Sequence, residues 1–281
     1  MAHSCLWDAD PPIGGQHDML VFRQFFRKQV HLQVPGLKIS LITPCYNAEA
    51  HIGRCIQSVI GQNYPGLEYI IIDGGSADNT LNIIDQYKNH ISRIVSEPDK
   101  GVYDAMNKGI KMASGDVVGI LNADDFFADA EVLKTIGNAF SVQNADIVFG
   151  DLDYVDFNET IIRRWRTRAY TKGIYNWGWM PPHPTFYCKR QLFEKIGLYK
   201  LDYGTAADYE LMMRFMHGNN PDTFYINKVL VKMQRGGMSN KNPINRVKAW
   251  RNDLKAMRNN GIRFPLLTLI MKPVRKIGQF L

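Results

Sequence analysis

A chain of 281 residues with 45% hydrophobic content has the balance of an ordinary globular protein and room for a sizeable core. Its net charge of +7 is concentrated at one end: residues 241–281 hold ten Lys and Arg against one acid, Asp253, which leaves residues 1–240 slightly acidic. A near-neutral body argues against a nucleic-acid binder. Four scattered cysteines, Cys5, Cys45, Cys55 and Cys188, argue against zinc or a disulfide framework and fit a reducing cytosol.

No run approaches the roughly 18 apolar residues of a membrane span. Residues 1–18, rich in Pro, Gly and Asp, lack a signal-peptide core and read as a loose tail. From residue 38 to 150 strands and helices alternate. "KISLITPCY" (38–46) reads as a strand, "AEAHIGRCIQSVIGQ" (48–62) as a helix, "LEYIIID" (67–73) as a strand and "ADNTLNIIDQYKNH" (77–90) as a helix. "SRIVSE" (92–97) is short and extended, "GVYDAMNKGIKMA" (101–113) helical, "DVVGILN" (116–122) a strand, "AEVLKTIGNAF" (130–140) a helix and "ADIVFGD" (145–151) a strand. Nearly continuous apolar strands separated by helices predict an α/β fold, a largely parallel sheet covered on both faces. Beyond residue 150 the alternation is lost. A hairpin over 151–165 precedes an aromatic, Pro-rich loop, "YNWGWMPPHPTFYCKR" (175–190), short helices over 191–196 and 207–216, and a strand over 223–234.

Ligands bind such sheets beyond the carboxyl ends of the strands. Three strands end there in polar clusters: "TPCYN", "DGGSADNT" and "NADD". Each alone is an ordinary turn; three together mark a site. Asp124 and Asp125 supply hard oxygens suited to Mg2+ or Mn2+ with substrate phosphates completing the shell, or else they cap the following segment. Gly74 and Gly75 permit close approach of a ligand, but "DGGSADNT" has the spacing of neither a Walker loop nor a dinucleotide fingerprint.

The ordered motifs "ISLITPCYNAEAHIGRCIQSVIGQNYPGLEYIIIDGGSADNT", "EPDKGVYDAMNKGIKMASGDVVGILNADD" and "AADYELMMR" resemble a family 2 glycosyltransferase, inverting and of the GT-A type, over residues 38–240. The resemblance divides the chain into a tail and amphipathic segment (1–36), a glycosyltransferase domain with a nucleotide-sugar half (37–150) and an acceptor half (151–240), and a basic helical extension (241–281). It implies that Thr43, Pro44, Tyr46, Asn47 and Glu49 hold the nucleotide, with Tyr46 stacking on the base or capping the core. Asp73 faces the base, and Gly74 stands where many relatives carry a second acid. The family's DxD motif corresponds to Asn122-Ala123-Asp124, so Asp124 is the expected metal ligand, with Asn122 toward ribose or metal and Asp125 contacting the sugar or orienting the loop. Asp104 and Asn107, three apart on one helix face, point toward the same ligand; Lys100 and Lys108 are nearby cations. Asp208 corresponds to the family's catalytic base, with Ala207 where an acid is usual, or it caps its helix. His183 faces the acceptor, or is structural. Trp177 and Trp179 stack on acceptor sugars or pack in the core. Arg235, in "RGGMSN" (235–240), is a candidate diphosphate contact.

The implied reaction moves a sugar from a nucleotide donor, UDP-linked, to a glycan or lipid-linked hydroxyl with Mn2+ or Mg2+. The alternative is a noncatalytic nucleotide-sugar-binding or scaffold protein, kept open by the acids missing at Gly74, Asn122 and Ala207. "MLVFRQFFRKQV" (19–30) and "FPLLTLIMKPVRKIGQFL" (264–281) mix large apolar residues with Lys and Arg. They suit a peripheral position on an anionic membrane, on its cytoplasmic face, or packing against the body.

Overall fold

The computed structural model describes residues 36–234, 243–275 and 279, all within one folded unit, Gly36–Leu281. The amphipathic stretch 19–30 and the "RGGMSN" stretch lie outside the described residues. The nucleotide half runs β1 (Ile39–Cys45), α1 (Ile52–Ile60), β2 (Leu67–Asp73), α2 (Thr80–Asp85), β3 (Arg93–Ser96), α3 (Val102–Met112), β4 (Val117–Ile120), β5 (Asp125–Phe127), α4 (Val132–Gln143) and β6 (Ile147–Val155). The remainder runs β7 (Ile161–Trp165), β8 (Tyr187–Lys189), α5 (Arg190–Ile196), α6 (Ala207–Met216), β9 (Thr223–Gln234), α7 (Pro243–Asn259) and α8 (Pro265–Val274).

The strands form one sheet in the order β3-β2-β1-β4-β8-β6-β9-β5, with β7 on β6. Strands β3, β2, β1 and β4 are parallel, as the alternation predicts. Beyond β4 the sheet is mixed: β8 is antiparallel to both β4 and β6, β9 is parallel to β6, and β5 returns antiparallel on β9. Two strands of three residues each, β5 and β8, escape the sequence reading because so short a run carries no period.

Alternate strand residues face opposite ways, so two apolar layers flank the sheet. Ile42, Ile70 and Ile72 pack on α3, α5 and α6. Leu41, Tyr69 and Ile71 pack on α1, α2 and α4. Gly119 on β4 is forced by packing: a Cβ there would lie 2.0 Å from Cε1 of Tyr187. In the C-terminal extension, α7 packs on the 201–206 turn and on α6, and α8 packs on α7 and the 174–177 turn. Leu266, Ile270 and Val274 of α8 nonetheless stay exposed. No helix among the described residues is long and apolar enough to cross a membrane.

Candidate active site

Parallel register aligns Cys45 with Asp73 at the carboxyl ends of β1 and β2, beside the end of β4. The two loops that follow are latched together by side chains. Asn47, held at φ 46°, accepts from the Ala77 amide at 2.9 Å, and its own amide donates to Ser76 Oγ at 2.8 Å. Glu49 Oε2 accepts from the Asn79 amide at 2.9 Å, while the Ala48 amide donates to Thr80 Oγ1 at 2.7 Å. Thr43 is buried with its hydroxyl against Tyr69, and Pro44 is buried in the strand. Tyr46, by contrast, is 63% exposed at the lip.

Asp73 is fully buried and saturated. Its carboxylate accepts from the Gly75 amide at 3.1 Å, the Ser76 amide at 3.0 Å, the Ser76 hydroxyl, and Ser96 Oγ at 2.6 Å. Burial opposes its ionisation, but the Ser76 and Ser96 donors prevail and hold the carboxyl below its ordinary value. Asp73 therefore organises the loop around itself. A Cβ at Gly74 would meet Asp99 Oδ2 at 2.4 Å: the Asp99 carboxylate, which accepts from the Gly101 amide at 2.7 Å, fills that space. Asp99 lies in the "EPDKGVYDA" motif, and only the three-dimensional fold assigns it to this spot.

On α3, Asp104 accepts from the Lys100 amide at 3.1 Å. Asn107 does not join it on a common ligand. Its amide bonds both the carbonyl and the amide of Tyr199, each at 2.9 Å, and so ties α3 to the segment before α6. Lys108 pairs with Glu97 at 2.9 Å.

Beyond β4, Asp125 is 1% exposed. Burial and then the adjacent Asp124 push its carboxyl well above the ordinary range, against the Asn122 amide at 3.2 Å and the Arg54 guanidinium. Arg54 lies 4.1 Å over the Phe126 ring and bonds Gln234. Asn122 Oδ1 and Asp125 Oδ1 are buried with no partner among the described residues, while Ala123 packs in the core. Orphaned hard oxygens beside Asp124 fit a divalent cation. No group of three or more His, Cys, Asp or Glu gathers among the described residues.

Asp208 opens α6, where its Oδ1 accepts from the Tyr209 amide at 2.7 Å. Its Oδ2 lies 3.4 Å from His183 Nδ1, in the 183–185 turn. Burial and then the Asp208 charge push the Tyr103 hydroxyl of α3 well above its usual range, and Tyr199 packs 5.4 Å from the Tyr103 ring. Burial raises the Tyr154 hydroxyl, the Arg163 guanidinium stacked at 4.5 Å opposes the shift, and the charges of Asp125 and Asp208 add to it. Tyr103, Tyr154, Arg54 and Asp99 are the residues that reading the sequence misses. Of the two tryptophans, Trp179 is core and Trp177 is 57% exposed.

Residues 40–199, more than half of the chain, match the family model described as "Glycosyl transferase family 2". A "PGL/p-HBAD biosynthesis glycosyltransferase" of Mycobacterium bovis is 31% identical over 207 residues, covering 72% of this chain and 78% of that protein. The fold is similar to Staphylococcus aureus TarS 1–349 in complex with UDP-GlcNAc, with a TM-score of 0.59, 18% identity, and coverage of 81% of this chain and 72% of that one. It is also similar to the mannosyltransferase PcManGT of Pyrobaculum calidifontis in complex with GDP-Man and Mn2+, with a TM-score of 0.60, 14% identity, and coverage of 90% and 79%. The chain belongs to glycosyl transferase family 2. It is a glycosyltransferase with the GT-A fold.

Proposed function

We propose that this chain transfers a sugar from a nucleotide-sugar donor, UDP-linked, to a hydroxyl of a glycan or lipid-linked acceptor, with inversion. The observation that carries this reading is the buried oxygens of Asn122 and Asp125, without partners among the described residues, beside Asp124, together with the Asp208–His183 pair. The TarS complex with UDP-GlcNAc and the PcManGT complex with GDP-Man and Mn2+ support a nucleotide-sugar donor and a divalent ion on this fold.

Tyr46 offers its exposed ring to the base, and Asp99, over Gly74, is the acid at that edge. Asp124, with Asn122 and Asp125, holds Mn2+ or Mg2+, which when bound supplies positive charge to the donor diphosphate. Asp208 takes the proton of the acceptor hydroxyl; that oxygen bonds C1 from the face opposite the diphosphate, which leaves with the electrons of the C1–O bond. His183, 3.4 Å from Asp208, orients the carboxylate.

The C-terminal helix suits a peripheral position on an anionic membrane at the cytoplasmic face. Leu266, Ile270 and Val274 recur every four residues and are 63%, 64% and 48% exposed, a stripe that an interface covers.

Titration calorimetry with UDP tests the donor half. Binding is expected to require Mn2+ or Mg2+ and to weaken by at least about tenfold in Asp124→Asn, the loss of one charged ligand. Equal affinity in the presence of EDTA would refute the metal assignment.

A further inference from the structure

A cavity of about 200 Å³ lies where the end of β7, the 174–179 turn and α8 meet. Its walls carry four cations, Arg166, Arg168, Lys272 and Arg275, against the indoles of Trp165 and Trp179. Two of these charges are matched. Arg166 pairs with Asp153 at 2.7 Å and stands 3.7 Å from Asp151, and Lys272 pairs with Asp253 at 2.8 Å. Arg168 and Arg275 have no ion pair among the described residues. Burial and then the charge of Arg168 hold the Arg275 guanidinium below its usual range. Like charges gathered around a partly open space favour the binding of an anion there.

The walls are fixed in place. Trp179 is 4% exposed, packs edge-on against Tyr175 at 5.3 Å and donates from Nε1 to Thr167 Oγ1 at 3.1 Å. Gly178, at φ +74°, admits the α8 backbone: a Cβ there would lie 2.7 Å from the Lys272 amide nitrogen. One wall of the cavity reaches α6, the helix that Asp208 opens: Lys272 Nζ sits 3.7 Å from the centroid of Tyr209. The same helix that contributes Lys272 and Arg275 exposes Leu266, Ile270 and Val274.

We infer that this cavity binds a phosphate or diphosphate group carried by the acceptor, with Arg168 and Arg275 as its principal contacts. Calling the carrier the acceptor rests on the proposed glycosyl transfer; the anion site itself does not. Guanidinium groups match phosphate oxygens in bidentate fashion. Seated here, such a group anchors the acceptor beside the helix that Asp208 opens, and α8 leaves room for a lipid carrier to remain in the interface.

The test uses the full chain with Trp7, Trp177 and Trp250 replaced by Phe, in EDTA, so that the fluorescence of Trp165 and Trp179 is the reporter, with inorganic pyrophosphate as the probe. Saturable quenching is expected. Arg168→Gln with Arg275→Gln is expected to raise the apparent Kd at least about tenfold, as lost charge-assisted bonds require. The Lys pair at the same positions, which keeps the charge but not the bidentate fork, is expected to fall between wild type and the Gln pair at an unchanged melting temperature. Capture on phosphatidylcholine vesicles bearing phosphatidic acid, lost in the Gln pair, supports a lipid-borne phosphate. Pyrophosphate binding without vesicle capture supports a phosphate on a soluble glycan. An unchanged Kd in the Gln pair, absent quenching, or binding of glucuronate in place of pyrophosphate would overturn the inference. Metal-dependent UDP binding, measured separately, reports on the donor site, so failure of the anion site is distinguishable from failure of the glycosyltransferase reading.

Discussion

Glu68→Gln removes a carboxylate that ties together three segments on the side of the sheet away from the nucleotide loops. Glu68, 5% exposed near the start of β2, accepts from Ser40 Oγ at 2.5 Å, the Ser114 amide at 2.8 Å, Ser114 Oγ at 2.6 Å and Lys38 Nζ at 3.3 Å. Burial disfavours its charge, but the Ser114, Ser40 and Lys38 donors overcome that cost and lower the carboxyl from 4.5 to about 2. Because the folded value is the lower one, the stabilisation is complete above pH 4.5 and is lost as pH falls toward about 2. At about 1.36 kcal/mol for each pH unit between the unfolded and folded values, it amounts to roughly 3 kcal/mol at neutral pH. Gln keeps one acceptor and turns an NH2 toward groups that are themselves donors, so most of that contribution is lost. A domain of this size loses about 2–4 °C of melting temperature per kcal/mol, which predicts a drop of about 6–12 °C at pH 7. Thermal unfolding from pH 7 to pH 2.5 measures it. The gap between wild type and variant is expected to hold from pH 7 to about pH 5 and to close below, with UDP affinity unchanged at low temperature. A gap independent of pH, or none at pH 7, would refute the reasoning.

Two further outcomes follow from the same structure. Glu210 is fully buried and is held by Arg214 at 2.9 Å and Lys200 at 3.1 Å, while Arg214 also donates to the carbonyls of Ile196, Gly197 and Leu198. Arg214→Ala leaves the buried carboxylate to Lys200 alone and takes the donor from three carbonyls, and is expected to cost about 3 kcal/mol by denaturant unfolding; a loss under about 1 kcal/mol would count against the buried pair. On α8, Leu266→Glu with Ile270→Glu is expected to reduce sedimentation with anionic vesicles at an unchanged melting temperature, and unaltered sedimentation would remove the membrane proposal.

Much of the fold is legible in the sequence because its strands are apolar runs and its helices carry a strong period. β2, α6 and β9 lie where the pattern puts them, since each fills a core position that only one period satisfies. β5 and β8 are invisible because three residues become a strand only when β9, β4 and β6 are already there to pair with them. The site is legible at the level of loops and acids and less so at the level of roles. Asp73 and Asn107 are polar residues at an expected edge, yet their hydrogen bonds turn inward, to Ser76 and Ser96 in one case and to Tyr199 in the other. No spacing distinguishes an acid that faces a ligand from one that organises a loop. Asp99 and Tyr103 sit within the "EPDKGVYDA" motif, whereas Tyr154 and Arg54 reach the site only through the pairing of β6 and the packing of α1.

Assignment of Asp208 as the base is tested most directly by one comparison, UDP-sugar turnover and UDP binding in Asp208→Asn. Turnover is expected to fall by at least about a hundredfold, the lower range for loss of a general base, with Mn2+-dependent UDP affinity within about twofold of wild type. Full turnover in Asp208→Asn would contradict the account.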